Sequence, residues 1–324
     1  IAAAFTGAAV AIGTKSLSEF ATFEDSMKQV QATMGLVGED GQRAFDQLAA
    51  AAKEAGSTTR FSASESAQAL NYLALAGYSV EDSVAALPKV LNLAAAGGMD
   101  LALTSDLVTD SMSALGLGVD DMGWYMDKMA RTSQRSNTSV QQLGEAVLVA
   151  GGTMKNAGQS VDMMNAMLGV LADNGIKGAE GGTKLRNIVM SLTSPTGSAA
   201  GALEELGISV ADADGNIRDM DVVLGELNNE LSGMSEAARG NYLNAIFNKQ
   251  DMAGVNALLE GTNGGLANLV DEMGKAEGAA DAMAATMEDS LAGSLRSMKS
   301  AISGAFIDLG ETIAPFAREF VEGF

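Results

Sequence analysis

Glycine, rather than proline, divides this sequence into short runs with helical periodicity. The chain has 38 glycines but 3 prolines in 324 residues, so few positions prevent a helix from continuing. The clearest run lies in Asn174–Leu192, where a glycine-rich turn leads into Leu185, Ile188, Val189 and Leu192. This i, i+3, i+4, i+7 spacing is typical of one face of a helix. Because the same pattern recurs along the chain, we predict a mostly α fold.

The glycine-rich turn itself predicts a tight corner between two helices, with Thr183 as the N-cap of the second. A helix N-terminus that follows glycines also suits phosphate binding. A P-loop, however, requires Gly-Lys-Ser/Thr, whereas this chain has Gly182-Thr183-Lys184. The preceding segment, Val161–Asp173, has helical periodicity where a P-loop requires a strand. We therefore favour the corner over a nucleotide site.

Composition rules out several kinds of chemistry. The chain contains no Cys and no His, which removes disulfides, thiolate and imidazole catalysis, and the common zinc sites. Its formal net charge is −21 without a cluster of Lys and Arg, which disfavours both nucleic acids and anionic membrane surfaces. No group of side chains meets the geometric demands of an active site. We predict that the chain is not an enzyme, and we assign no catalytic, cofactor-binding or metal-binding residues.

The chain is expected to fall into three segments. Residues 1–56 form a long N-terminal helix and a second helix, residues 57–261 form a compact helical core, and residues 262–324 form one or two long C-terminal helices. Both ends read as cut, so an ordered piece of a longer polypeptide is expected. For the apolar run Ile1–Gly13 we favour a buried Ala-rich helix over part of a membrane span.

An internal repeat is predicted within the core segment, giving a multi-helix bundle built from similar helical pairs. Capping-box spacing occurs at Ser62–Glu65 and again at Thr138–Gln141. Ala146 then stands where Ala67 stood, at an offset of 79 residues. A small β-hairpin is predicted near residues 207–219, because short apolar runs flank an Asp-Gly turn.

Several residues invite a chemical role but have simpler interpretations. The Asp212–Asn216 loop resembles a calcium loop, yet Gly215 comes two places too early and no Glu stands at position 12. Trp124 is expected in the core. Two pairs of neighbouring acids read as solvated or helix-start charge: Asp120, Asp121, Glu204 and Glu205. Four methionines near the C-terminus read as adaptable core: Met273, Met283, Met287 and Met298.

Taken together, several motifs in order resemble the core region of phage tail tape measure proteins. The resemblance covers about Phe20–Gly261, and Asn248 departs from it where the family often has glycine. The motifs that carry it are Thr59–Ala63, Leu73–Gly77, Val90–Ala94, Leu171–Gly178, Gly182–Arg186, Leu206–Val210, Asp214–Arg218 and Ala245–Phe247.

The resemblance implies a structural virion protein, mostly helical, that lies in the tail tube lumen or at the tail tip. Such proteins set tail length during assembly and leave before the DNA at ejection. The implied partners are tail tube proteins, tail tip or baseplate proteins, tail assembly chaperones and further copies of the chain, as a trimer or hexamer. Contact with the host membrane on ejection is also implied, and specific nucleic-acid binding is not.

Three alternatives stay open on sequence alone. One is a membrane-active, pore-forming segment, which Ile1–Gly13 and Ile302–Ile307 favour and the net charge opposes. Another is a carboxylate-based hydrolase acting on peptidoglycan. The third is a helical adaptor protein, which long heptad runs would support; such runs are absent before Ala267.

Overall fold

The chain is almost entirely helical. The computed structural model describes the backbone of residues 2–322 and the side chains of residues 10–319, 321 and 322. Over this range there are sixteen α-helices and two short 3₁₀ helices, Val119–Asp121 and Lys249–Asp251. The α-helices are α1 (Ala2–Met34), α2 (Gly38–Thr58), α3 (Ala63–Leu75), α4 (Val80–Gly97), α5 (Leu101–Leu115), α6 (Met122–Arg135), α7 (Val140–Asn156), α8 (Val161–Asp173), α9 (Gly178–Thr193), α10 (Gly197–Glu205), α11 (Met220–Ser232), α12 (Glu236–Ile246), α13 (Met252–Gly261), α14 (Gly265–Met273), α15 (Ala279–Glu288) and α16 (Leu291–Glu322).

The helices form two compact units. One consists of Ile1–Thr109 together with Met283–Phe324, and the other of Asp110–Ala282. These units divide the chain differently from the three segments 1–56, 57–261 and 262–324, and that three-segment division stays a prediction.

In the first unit, the two long helices α1 and α16 pack against each other, and α1 also packs on α3. The inward stripe of α1 contains Phe23, Met27 and Val30, all buried. Gly310 of α16 permits the close approach, because an added Cβ would lie 2.2 Å from the Ser16 carbonyl oxygen. The long helices predicted for the two ends are therefore both present and contact each other.

In the second unit, α8 is the central helix. Every residue from Met163 to Ala172 is buried, because α6, α9, α13 and α14 all pack around this helix. A helix that is buried on all sides is expected only in the middle of a core. The prediction of a multi-helix bundle is confirmed.

Serine side chains start both of the predicted helical pairs, α3–α4 and α7–α8. Ser62 and Glu65 form the capping box predicted for α3. For α7 the box is formed by Ser139 and Gln142, one residue later than the predicted Thr138–Gln141. Ser139 stands 77 residues after Ser62, an offset two residues shorter than the 79 that separate Ala67 from Ala146. The pseudo-repeat itself stays an interpretation.

The β-hairpin predicted near residues 207–219 is wrong. Residues 207–219, all in the described part of the chain, contain a single antiparallel bridge, between Ala211 and Ile217. Two backbone hydrogen bonds flank the bridge, from the Arg218 N–H to the Val210 carbonyl and from the Asp212 N–H to the Asn216 carbonyl, and the carbonyls beyond them accept from side chains. The Arg218 guanidinium donates to the Ser209 carbonyl 2.6 Å away, and the Gln159 amide donates to the Arg218 carbonyl at 3.1 Å.

The two termini also differ from expectation. The region after Ala267 contains the end of α14 followed by α15 and α16, where one or two helices were predicted. Ile1–Gly13 was predicted to be a buried helix, yet the side chains of Val10 and Ile12 are exposed; those of residues 1–9 lie outside the described part. None of the helices in the described chain has a stretch long and apolar enough to span a bilayer.

Candidate functional site

The stretch Asn174–Leu192 positions a close contact between two helices of the second unit. It supplies a turn and then α9, which packs along α7. At the contact, Gly182 lies so near α7 that an added Cβ would stand 2.3 Å from the Ala146 carbonyl oxygen and 2.9 Å from the Ala146 Cα. Such distances are below van der Waals contact, so a residue larger than glycine requires the two helices to separate.

The helix begins earlier than the sequence indicated. The corner between α8 and α9 is formed by residues 174–177, with Gly175 and Gly178 at positive φ of 82° and 62°. Gly181 and Gly182 are already helical. The prediction of Thr183 as N-cap is therefore wrong; its hydroxyl instead donates to the Ala179 carbonyl, 2.8 Å away and one turn back. Close packing of α9 against α7 requires glycine here. Because glycine has a low helix propensity, the sequence wrongly predicted that Gly181 and Gly182 lie outside the helix.

A buried carboxylate secures the other side of α9. Asp251 is 1% exposed, and its two oxygens each lie 3.3 Å from the side-chain nitrogen of Asn187. The Lys184 ammonium lies 3.5 Å from Asp251 Oδ1 and donates to the carbonyl of Gln250. A charge this deeply buried requires such partners. The group ties α9 to the 3₁₀ turn before α13.

A second polar cluster organises the loop before α11. The Gln159 side chain donates to the Ala157 and Arg218 carbonyls and accepts from the Met220 N–H at 2.9 Å. Arg218 in turn holds Glu226 in a two-pronged pair, with Nη1 2.9 Å from Oε2. The side-chain hydrogen bond from Arg218 keeps the pKa of Glu226 below its usual value. These contacts fix backbone position and leave no open reactive group.

The loop that resembles a calcium site binds itself. The Asp212 carboxylate accepts from the N–H groups of Asn216 at 2.8 Å and Asp214 at 3.0 Å. These backbone hydrogen bonds lower the pKa of Asp212. Among residues with described side chains, no three carboxylates gather where they could hold a metal ion.

The paired acids and the tryptophan lie at helix starts or on the surface. Asp121 accepts from the Gly118 N–H at 2.9 Å and from the Trp124 indole N–H at 3.0 Å. Glu205 accepts from the Tyr242 hydroxyl at 3.2 Å. Trp124 was expected in the core and is 37% exposed, while the neighbouring Tyr125 is fully buried. Trp124 and Tyr125 are adjacent and so point in different directions from the helix, and the sequence could not show which of them faces the core.

Only one of the methionines predicted as core is buried. Met273 lies in the interior of the second unit, whereas Met283 is half-buried and Met287 and Met298 are exposed. The prediction of a core methionine stripe is thus wrong for Met287 and Met298. Their helices use smaller residues for packing, so the longer side chains remain on the outer surface.

The geometry defines a helical protein whose polar groups serve its own packing. A family model described as phage-related minor tail protein matches residues 49–248. The chain belongs to this family, and it is therefore a structural component of a phage tail.

Two relatives extend the match over nearly the whole chain. It is 30% identical to the tape measure protein of Pneumococcus phage Dp-1 over 98% of its length, and 29% identical to the probable tape measure protein of Escherichia phage P2 over 92%. The chain spans 27% and 37% of these two proteins. No solved structure matches it. The resemblance to tape measure proteins seen in the motifs is confirmed.

Proposed function

We propose that this chain acts as part of a tape measure protein, inside the tail tube lumen or at the tail tip. In this role it contributes to setting tail length in assembly and leaves before the DNA at ejection. The observation that carries the proposal is the similarity to two tape measure proteins over 98% and 92% of the chain. A match this long includes both compact units, so it does not arise from one common helix.

Within such a protein, the chain acts as a folded domain near one end of the ruler. A single helix of 324 residues would extend about 490 Å at ~1.5 Å per residue. The longest helix described, α1, has 33 residues and therefore a length of only about 50 Å. A residue in a compact unit contributes little to the end-to-end length of the protein. In a ruler, by contrast, length must increase in proportion to the number of residues.

The acidic surface suits a position in the path of the DNA. With a formal net charge of −21, the chain repels the phosphate backbone, so DNA that follows it does not adhere. Tail tube and tail tip or baseplate proteins are the proposed neighbours, with tail assembly chaperones before assembly and three or six copies in the tail.

Protection from a protease tests the location. A recognition site for a specific protease is inserted after Asp214, in the exposed Asp212–Asn216 loop, in the phage that encodes the chain. We expect no cleavage in intact virions and rapid cleavage once a receptor has triggered ejection. As a control, the same site on an outer tail protein should be cut in both states. Cleavage in intact virions that still hold their DNA would refute an internal position.

A further inference from the structure

Asparagine followed by glycine occurs twice in the sequence, at Asn174–Gly175 and at Asn263–Gly264. In such a pair the backbone nitrogen of the glycine can attack the side-chain carbonyl carbon of the asparagine, because glycine has no Cβ to shield that nitrogen. Two conditions must hold in a folded protein. The glycine N–H must be free to lose its proton, and the asparagine side chain must be free to turn towards the glycine nitrogen.

Asn174 meets neither condition, although its side chain is exposed. Its Nδ2 donates to the Val170 carbonyl oxygen at 2.9 Å, which holds the side chain back along α8. The Gly175 N–H donates to the Ala172 carbonyl oxygen, also at 2.9 Å. Both hydrogen bonds lie at the C-terminal end of α8. The attacking nitrogen and its target are therefore each held in place by that helix.

Asn263 meets both conditions. Its side chain is exposed and has no hydrogen-bond partner among the residues whose side chains are described. The Gly264 N–H likewise donates to no group in the described chain, whereas the Gly264 carbonyl accepts from the Asn268 N–H at 3.0 Å. The space beside Gly264 is open, since the nearest atom to an added Cβ, apart from its chain neighbours, is Asn268 Nδ2 at 4.0 Å. The reacting nitrogen is thus accessible.

We propose that Asn263 is a site of spontaneous deamidation in the folded chain, and that the product loosens α14. The Gly264 nitrogen forms a bond to Cγ of Asn263. Its proton passes through water to the side-chain nitrogen, which leaves as ammonia. The resulting five-membered imide takes up one water molecule. Breaking the bond from the Gly264 nitrogen to Cγ gives aspartate, and breaking its bond to the backbone carbonyl carbon gives isoaspartate, in which the main chain runs through the former side chain.

Isoaspartate lengthens the backbone by one carbon at a junction that positions α14. On one side of the junction, Thr262 ends α13, and its Oγ1 accepts from Asn228 Nδ2 at 3.2 Å. On the other side, Gly264 is the N-cap of α14, which packs on α8 and α6. The extra carbon therefore displaces α14 from its neighbours. Aspartate adds only a negative charge, which a helix N-terminus favours.

Peptide mapping of the full chain by mass spectrometry tests the site. The purified chain is incubated at mildly alkaline pH, where the glycine N–H loses its proton more readily, and the peptides that contain the two Asn-Gly pairs are compared over time. The two hydrogen bonds that must first break at Asn174 should slow its reaction by about ten- to a hundredfold relative to Asn263. An isoaspartyl methyltransferase identifies the isoaspartate product.

The same chain unfolded in guanidinium chloride is the matched control. Both pairs consist of the same two residues, so they should react at similar rates once the turns are lost. The folded Asn263→Gln variant should stay unmodified at this position, because glutamine would have to close a larger ring. Equal rates for the two pairs in the folded chain, or a faster reaction at Asn174, would overturn the assignment.

Hydrogen exchange of the α14 amides tests the consequence. After incubation, the modified chain should exchange faster than the fresh chain over Gly265–Met273. Asn263→Asp, which has the same charge without the extra carbon, should match the fresh chain. If the modified chain exchanged no faster than Asn263→Asp, the inferred loosening of α14 would be wrong. The protease test in virions does not depend on Asn263, so the two proposals can fail separately.

Discussion

Replacing Gly182 by alanine tests whether the contact between α7 and α9 determines the glycine-rich sequence. An alanine Cβ at this position would lie 2.3 Å from the Ala146 carbonyl oxygen, 2.9 Å from the Ala146 Cα and 2.9 Å from the Val149 Cβ. Two of these atoms belong to backbone, so relief requires α9 to move. Overpacking of this kind costs about 1–3 kcal/mol, while alanine in a helix interior gains up to ~1 kcal/mol over glycine. Subtracting the full propensity gain leaves an expected net loss of up to about 2 kcal/mol.

Gly201→Ala is the matched control in the same unit. Gly201 lies within α10 and has no atom near its added Cβ within 4 Å, so only the helix propensity remains. This variant should gain about 0.5–1 kcal/mol. Thermal unfolding followed by circular dichroism at 222 nm measures both. A unit of this size shifts its Tm by about 2–4 °C per kcal/mol, so Gly182→Ala should melt several degrees below Gly201→Ala. Equal or reversed melting temperatures would refute the packing argument.

Two further substitutions test the polar clusters of the second unit. Asp251→Ala leaves the Lys184 ammonium without its buried partner and should lower the free energy of unfolding in urea by about 3 kcal/mol. The control Asp214→Ala, at an exposed position, should change the urea midpoint little. Equal losses of stability in the two variants would show that Asp251 is not a structural ion. Arg218 lowers the folded-state pKa of Glu226. The pair therefore stabilises the fold fully above about pH 4.3, the usual pKa of a glutamate. This stabilisation is lost as the pH falls through the lower pKa of the folded state. Glu226→Gln should therefore lose stability at pH 7 and show a smaller decrease on acidification to pH 3 than Glu230→Gln, an exposed substitution on the same helix; parallel pH profiles for the two would contradict the assignment.

Local patterns predicted the helices well, because caps and apolar spacing act within a few residues. The capping box at Ser62 and the stripe Leu185–Leu192 are of this kind: both are present as predicted, and their residues are close in sequence. The same reasoning failed for Gly181 and Gly182, which it placed in a turn. Their helical conformation depends on α7, which contributes Ala146 from about 35 residues earlier in the chain.

The polar clusters could not be predicted from the sequence either, because their members are also far apart along the chain. Lys184 and Asp251 are 67 residues apart, and Gln159 meets Met220 across 61. No motif in the sequence joins either pair of residues, so no local signal could have paired them. The region of the missing hairpin shows the same effect, since the Gln159 side chain binds the Arg218 carbonyl across 59 residues.

The inward and outward faces of α16 differ in the side chains that they carry. The inward face of α16 consists mainly of small residues, Ser300, Gly310 and Ala314, together with Ile307, whereas most of its larger apolar side chains lie on the outer face. This division explains why the methionine and leucine stripe near the C-terminus is exposed, although its composition resembles a core. An isolated acidic chain gains nothing from such a stripe, since exposed apolar side chains of this size favour association.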